Sequence, residues 1–157
     1  YTIINKPITE LETQLALGPL GFYSIISKLI RKRLLKKKSS VVAIGAIASE
    51  INPIASSAYS AAKAALSSLV TSFARDLTRR KKDIRLNVVS FGYVNTNLIS
   101  DIEDEHQKNS TLLEIPSSDD MRVTGPILFF LSDNAKWING KTLVVDGGTA
   151  SKCGVFT

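Results

Sequence analysis

Cysteine, histidine and methionine are scarce in this 157-residue chain, which has one of each: Cys153, His106 and Met121. One cysteine cannot form an internal disulfide, so we expect a reducing compartment and a cytoplasmic protein. One histidine and one cysteine cannot supply the ligands of a zinc-type site, and no spaced carboxylate cluster replaces them, so no metal site is expected. With its only methionine at position 121, the chain is expected to be part of a longer product or to lack its front.

Long apolar runs are also missing. None approaches the roughly 18–20 residues that cross a bilayer, and the start lacks the layout of a signal peptide. We therefore expect no membrane partner. At 44% hydrophobic residues, the chain is nevertheless apolar enough for one globular domain with its own core, covering residues 1–157.

The chain has 14 acidic residues against 20 lysines and arginines. The resulting net charge of +6 is concentrated in two basic runs, residues 28–38 and 79–82. Each run lies where a predicted helix ends, and cations are favourable there because they complement the helix dipole. A nucleic-acid surface is the alternative, but no aromatic residues interleave with these charges. The runs therefore predict a solvated surface and no nucleic-acid partner.

The hydrophobic pattern alternates between helical stripes and short apolar runs. It predicts a first helix over residues 20–37, with an earlier start near Thr9 and a bend at Gly18-Pro19 left open. A second helix is expected over residues 58–80, and a third over residues 127–133, entered near Asp119 or at Pro126. The apolar runs predict strands, namely residues 41–48, 84–92 and 141–148.

This order of elements indicates an α/β fold with a parallel sheet. The first strand, apolar on both faces, would leave an unpaired edge, so another segment is expected beside it. Residues 97–118 form a long, polar stretch, which predicts a mobile lid over a substrate.

Tyr59 and Lys63 are the residues most suited to chemistry. They are four positions apart in the predicted second helix, so both side chains can point into one cleft. An ammonium beside a phenol favours the phenolate, and a tyrosine tuned in this way can exchange a proton with a carbonyl or alcohol oxygen. The alternative is an exposed tyrosine and a solvated lysine, because this spacing alone is common.

The motifs "YSAAKAAL", "IRLNVVSFGYVNT" and "NGKTLVVDGG" occur in an order and spacing that resemble the second half of the short-chain dehydrogenase/reductase family. The resemblance implies part of a doubly wound, Rossmann-like parallel sheet and an NAD- or NADP-dependent oxidoreductase acting on a carbonyl or alcohol. Tyr59 and Lys63 match the catalytic pair, which also contacts the cofactor. Gly92, Val94 and Thr96 match the segment that meets the nicotinamide end of the cofactor. Homodimers or homotetramers, formed through the first two helices, are implied as well.

Departures from the family pattern bear on activity. Ala46 stands where the family has its catalytic serine, Leu15 where it commonly has an asparagine, and Phe91 where a proline usually precedes Gly92. The family's glycine-rich phosphate loop would lie upstream of this sequence, so this stretch alone should bind dinucleotide weakly or not at all. A non-catalytic relative that serves as a binding or oligomerisation module is therefore the alternative function. Ser49 is a possible substitute for the missing serine.

Overall fold

The computed structural model describes residues 6–96 and 111–152 of the chain. Most of the predicted lid, residues 97–110 with His106, and Cys153 lie outside the described residues. The elements are, in chain order, α1 (Ile8–Leu15), a π-helical turn (Ala16–Leu20), α2 (Gly21–Arg31), β1 (Ser39–Ala46), α3 (Ala48–Ile51), α4 (Ser57–Arg79), β2 (Ile84–Phe91), α5 (Met121–Leu131), a 3₁₀ turn (Asp133–Ala135), β3 (Thr142–Val145) and α6 (Thr149–Lys152).

The three strands form a parallel sheet in the order β1-β2-β3, which confirms the predicted α/β class. Ser39 pairs with Ile84 and Ala46 with Phe91, so β1 and β2 begin and end together. We call the end where the strands begin the amino end of the sheet, and the opposite end the carboxyl end. Among the described residues β1 pairs only with β2, so its outer edge is open, as the sequence predicts.

Helices cover both faces of the sheet because side chains along β2 alternate in direction. Leu86 and Val88 point toward α4, where they share a core with Leu66, Val70 and Ala74. The opposite face carries Val89 and Phe91, which pack with Val123 and Phe130 of α5. The layers on both faces correspond to part of a doubly wound sheet.

The first helix has the early start near Thr9 that the sequence left open, but it ends before its predicted end. It begins at Ile8 and continues through the π-helical turn, in which the Gly21 N–H donates to the carbonyl of Ala16, five residues earlier. This turn accommodates Pro19, so the expected irregularity at Gly18-Pro19 is a widened turn. The predicted end at residue 37 is wrong: α2 ends at Arg31, because Arg33 follows with a left-handed φ of 56°.

The later elements also differ at their boundaries. The strand predicted for residues 41–48 ends at Ala46, because Ala48 already begins α3. The third helix begins at Met121, where the Asp120 carboxylate accepts from the Arg122 N–H; entry at Pro126 is wrong, since that proline lies inside the helix. The last strand ends at Val145, because glycines with positive φ follow it.

Polar side chains hold the loops at the amino end of the sheet. The Arg85 guanidinium donates to the carbonyls of Phe130, Ser132 and Ala135, where α5 ends. The fully buried Asn87 donates to the Ile138 carbonyl at 3.0 Å and accepts from the Lys141 N–H at 3.0 Å. No helix among the described residues is long and apolar enough to traverse a bilayer.

Candidate active site

Tyr59 and Lys63 lie in the first two turns of α4 and face the same side, as their spacing predicts. The Lys63 Nζ is 5.6 Å from the centre of the Tyr59 ring, within reach of a cation–π contact. Tyr59 is 37% exposed, so its ring is neither turned fully into solvent nor enclosed in the core. The structure therefore brings the two residues together at the surface of the protein.

The Lys63 ammonium is held at the sheet by a backbone group. Its Nζ donates a hydrogen bond of 3.0 Å to the carbonyl oxygen of Ile44, near the carboxyl end of β1. An ammonium has three protons, so this bond leaves donors for a further partner. The Ile44 carbonyl is a part of the site that no sequence pattern reveals, because every residue carries the same group.

Burial shifts both titratable groups of the pair toward their neutral forms. It raises the pKa of the Tyr59 phenol and lowers the pKa of the Lys63 ammonium. The sequence predicts a lowered pKa for Tyr59, and this prediction is wrong because burial raises it. At neutral pH the phenol holds its proton and is a hydrogen-bond donor.

Ala46 ends β1 and is buried, with the Ile47 N–H bonded to the carbonyl of Phe91 beside it. Its methyl group offers no hydroxyl at the position where the resemblance places the catalytic serine. Ser49 does not replace that group in this structure, since its hydroxyl donates to the Ala46 backbone carbonyl at 2.8 Å. Leu15, at the end of α1, is half-buried and also has no polar group to offer.

Gly92 lies directly after β2, where the closing strand approaches it. A Cβ at this position would be 2.8 Å from the Cα of Asp146, closer than real Cβ contacts allow. The Gly92 N–H donates to the Val145 carbonyl at 3.0 Å, which fixes the two strand ends together. The close approach of Asp146 is therefore sufficient to explain why a residue without a side chain stands at position 92, with or without a contact to a cofactor.

Val94 and Thr96 follow on the segment that leaves the carboxyl end of β2, and both are half-buried. Val94 packs against the core on the α5 side and lines a shallow cavity with Tyr93, Arg122 and Asp146. Tyr59 and Lys63 do not line this cavity. The structure thus places all five predicted residues at the carboxyl end of the sheet, in two groups.

Two further features were not predicted. Asp146 caps α6, because its carboxylate accepts from the N–H groups of Gly148 and Ala150 at 3.0 and 2.7 Å; an aspartate before two glycines is a signal that could have suggested this. Trp137 is 98% exposed, so its ring does not pack within the described part of the chain.

Comparison with known proteins identifies the class. Residues 3–150 match the family described as Enoyl-(Acyl carrier protein) reductase, and the chain belongs to the short-chain dehydrogenase/reductase family. The resemblance predicted from the motifs is confirmed.

Individual relatives agree with this assignment. The chain is 29% identical to the human 3-oxoacyl-[acyl-carrier-protein] reductase and 31% identical to the mouse protein of the same name, over 146 residues in each case. That is 93% of this chain but 60% and 59% of those proteins, so the chain spans about three fifths of their length. A solved structure of a 4-hydroxyisoleucine dehydrogenase mutant with NADH and succinate matches its fold with a TM-score of 0.83 at 21% identity, over 96% of this chain and 63% of that one.

Proposed function

We propose that the protein, in its full natural length, is an NAD- or NADP-dependent oxidoreductase that acts on a carbonyl or alcohol substrate, in the cytoplasm. The observation that carries this proposal is the contact between Tyr59 and Lys63 at the carboxyl end of β1. The names of the human and mouse relatives, which are reductases, support the same class of reaction.

Tyr59 would transfer the proton. Because burial raises the pKa of its phenol, the hydroxyl is protonated at neutral pH and is suited to donate its proton to a substrate carbonyl oxygen. The nicotinamide cofactor, when bound, would supply the hydride for the carbonyl carbon.

Lys63 would orient Tyr59 and bind the cofactor. One of its protons is donated to the Ile44 carbonyl, which leaves the ammonium fixed and able to donate to the hydroxyls of the nicotinamide ribose. Gly92, Val94 and Thr96 would lie against the nicotinamide end. These residues fit that end of a dinucleotide, whereas the described residues contain no G-x-G-x-x-G pattern for the pyrophosphate.

Ala46 favours the second candidate function, a non-catalytic relative that binds or oligomerises. A missing donor to a substrate oxygen costs about 10²–10³-fold in turnover in comparable sites.

For assembly we propose a homodimer or homotetramer through α2 and α4, because Tyr23 and Ile25 leave apolar surface exposed on α2. Residues 97–118 would close over the substrate.

Cofactor binding and the Tyr59→Phe change test the catalytic proposal. The material is the protein isolated at its natural length, whose intact mass is compared first with the 17.1 kDa of this chain. We expect enhanced fluorescence of NADH or NADPH on binding, and a loss of about 10²–10⁴-fold in carbonyl reduction in the Tyr59→Phe variant, with cofactor affinity retained. A protein that binds neither dinucleotide would exclude this function.

Restoring the hydroxyl by Ala46→Ser separates the two candidates. If the protein is an enzyme weakened at this position, turnover should rise by about 10²–10³-fold. A matched control is Ala48→Ser, which adds a hydroxyl to a neighbouring buried alanine and should leave turnover unchanged. A protein that binds dinucleotide yet gains no activity from Ala46→Ser supports the binding module.

A further inference from the structure

Three loops form a continuous row at the amino end of the sheet, across from the candidate active site. They comprise residues 32–38, 80–83 and 132–141, which precede β1, β2 and β3. Hydrogen bonds connect them in order: the Lys38 N–H donates to the Asp83 carbonyl, and Asn139 Nδ2 donates to the hydroxyl of Thr78, at the end of α4. We call this row, with the last turns of α2 and α4, the basic end.

The basic end joins the two basic runs that are separate in the sequence. Residues 28–38 and 79–82 hold eleven of the chain's 20 lysines and arginines, and neither run contains an acidic residue. All eleven side chains are exposed. Within the described part of the chain none of them forms an ion pair, since the three ion pairs there involve Lys6 and Arg122. Helix-end dipoles do not require so many cations at one place.

Apolar side chains are exposed at the same end. Leu34, which lies among the lysines of the first loop, is 61% exposed, and Trp137 of the third loop is 98% exposed. Leucine and tryptophan side chains exposed at the same end as a cluster of cations are a combination found on proteins that lie at a bilayer interface.

We propose that the basic end docks on an anionic lipid bilayer, with the lysines and arginines at the headgroups and with Leu34 and Trp137 inserted between them. This proposal departs from the expectation, drawn from the sequence, of a solvated surface and no membrane partner. Lysine and arginine side chains near an anionic bilayer are attracted to phosphatidylserine and phosphoinositide headgroups by about 1 kcal/mol each. A nucleic acid would neutralise the charges but would offer no apolar phase for Leu34. Docking in this orientation turns the carboxyl end of the sheet, with Tyr59 and Lys63, toward solvent.

Co-sedimentation with vesicles tests the proposal, using the 157-residue chain. We expect binding to phosphatidylcholine vesicles that contain 30% phosphatidylserine, no binding to phosphatidylcholine alone, and loss of binding in 0.5 M salt, where charges are screened beyond about 4 Å. Lys36→Gln/Lys37→Gln should lower the partition coefficient by about tenfold or more. The matched control, Lys6→Gln/Arg122→Gln, removes two cations at the opposite end and should change it by less than about threefold.

The apolar contribution is measured separately. Leu34→Ser should weaken vesicle binding by about fivefold, and the emission of Trp137, the only tryptophan, should shift to shorter wavelength on binding. Circular dichroism checks that each variant is folded.

Three outcomes overturn the proposal: no binding to anionic vesicles at low salt, an equal effect of the two double substitutions, or tight binding to a DNA duplex or to polyglutamate without binding to vesicles. A fourth outcome would also overturn it: tryptophan emission that is already blue-shifted without vesicles would assign Trp137 to a subunit contact.

Discussion

The two ends of the sheet are built differently. At the amino end, Arg85 and Asn87 satisfy backbone groups of the loops with side-chain hydrogen bonds, so these loops are fixed to the strands. At the carboxyl end, the Lys63 ammonium uses one donor on the Ile44 carbonyl, and the buried Ser90 hydroxyl has no hydrogen-bond partner among the described residues.

This difference separates the part of the fold that maintains stability from the part that can bind. Satisfied buried polar groups stabilise a structure, whereas unused donors at a surface are available to a ligand. β2 runs through both ends, so substitutions along this one strand can show whether the separation is real.

Asn87→Leu should cause the largest loss of stability. It leaves the Ile138 carbonyl and the Lys141 N–H without partners in a fully buried place, which is expected to lower the free energy of unfolding by about 2–6 kcal/mol. Chemical denaturation measures the change. Asn134→Leu is the control, because that side chain is exposed in the same end of the molecule, and its effect should stay within about 0.5 kcal/mol. Equal losses would show that the buried amide is not what holds the amino end.

Gly92→Ala should have an intermediate effect, at the carboxyl end. The new methyl group would lie 2.8 Å from the Cα of Asp146, and the strand ends must move apart, at a cost of about 1–3 kcal/mol in unfolding free energy. Gly125→Ala in α5 is the control: its nearest neighbour would be the Met121 Cε at 3.8 Å, and alanine should stabilise the helix by about 0.5–1 kcal/mol. Thermal melting should therefore shift in opposite directions for the two variants.

Ser90→Ala should have the smallest effect and the opposite sign from Asn87→Leu. Removing a buried hydroxyl that lacks a hydrogen-bond partner is expected to leave stability unchanged or to raise it by up to about 1 kcal/mol. Ser40→Ala, which removes a bond of 2.8 Å to the Phe130 carbonyl, should cost about 1 kcal/mol. A clear loss in Ser90→Ala would mean that both ends of β2 depend on satisfied polar groups.

The sequence was sufficient for the architecture and for the central pair. Apolar runs located all three strands, because strands that pack inside an α/β fold are rich in apolar residues. The i,i+4 spacing placed Tyr59 and Lys63 together, since helix geometry determines which side chains are neighbours.

Other properties depended on tertiary contacts that no local pattern contains. The basic residues of 28–38 continue a helical pattern on paper, yet Arg33 adopts a left-handed φ and the helix has already ended. The pKa of Tyr59 is raised by burial of the side chain, which depends on how α4 packs in the fold. Gly92 matched a cofactor motif, and its closeness to Asp146 became visible only once the strands were paired.

The widened turn at Ala16–Leu20 has a consequence for how the length of this chain can vary. A π-helical turn holds one residue more than the α-helical turn it replaces, so α1 and α2 keep the relative rotation of one uninterrupted helix. Deleting one residue here would convert the π-helical turn to an α-helical turn without rotating α1 or α2 away from α4. Gly18 is an example, because no other atom lies within 4 Å of a Cβ built at that position. The same deletion inside α4 would rotate everything after it by about 100°. Natural homologues that differ by one residue in this part of the chain should therefore do so at this turn.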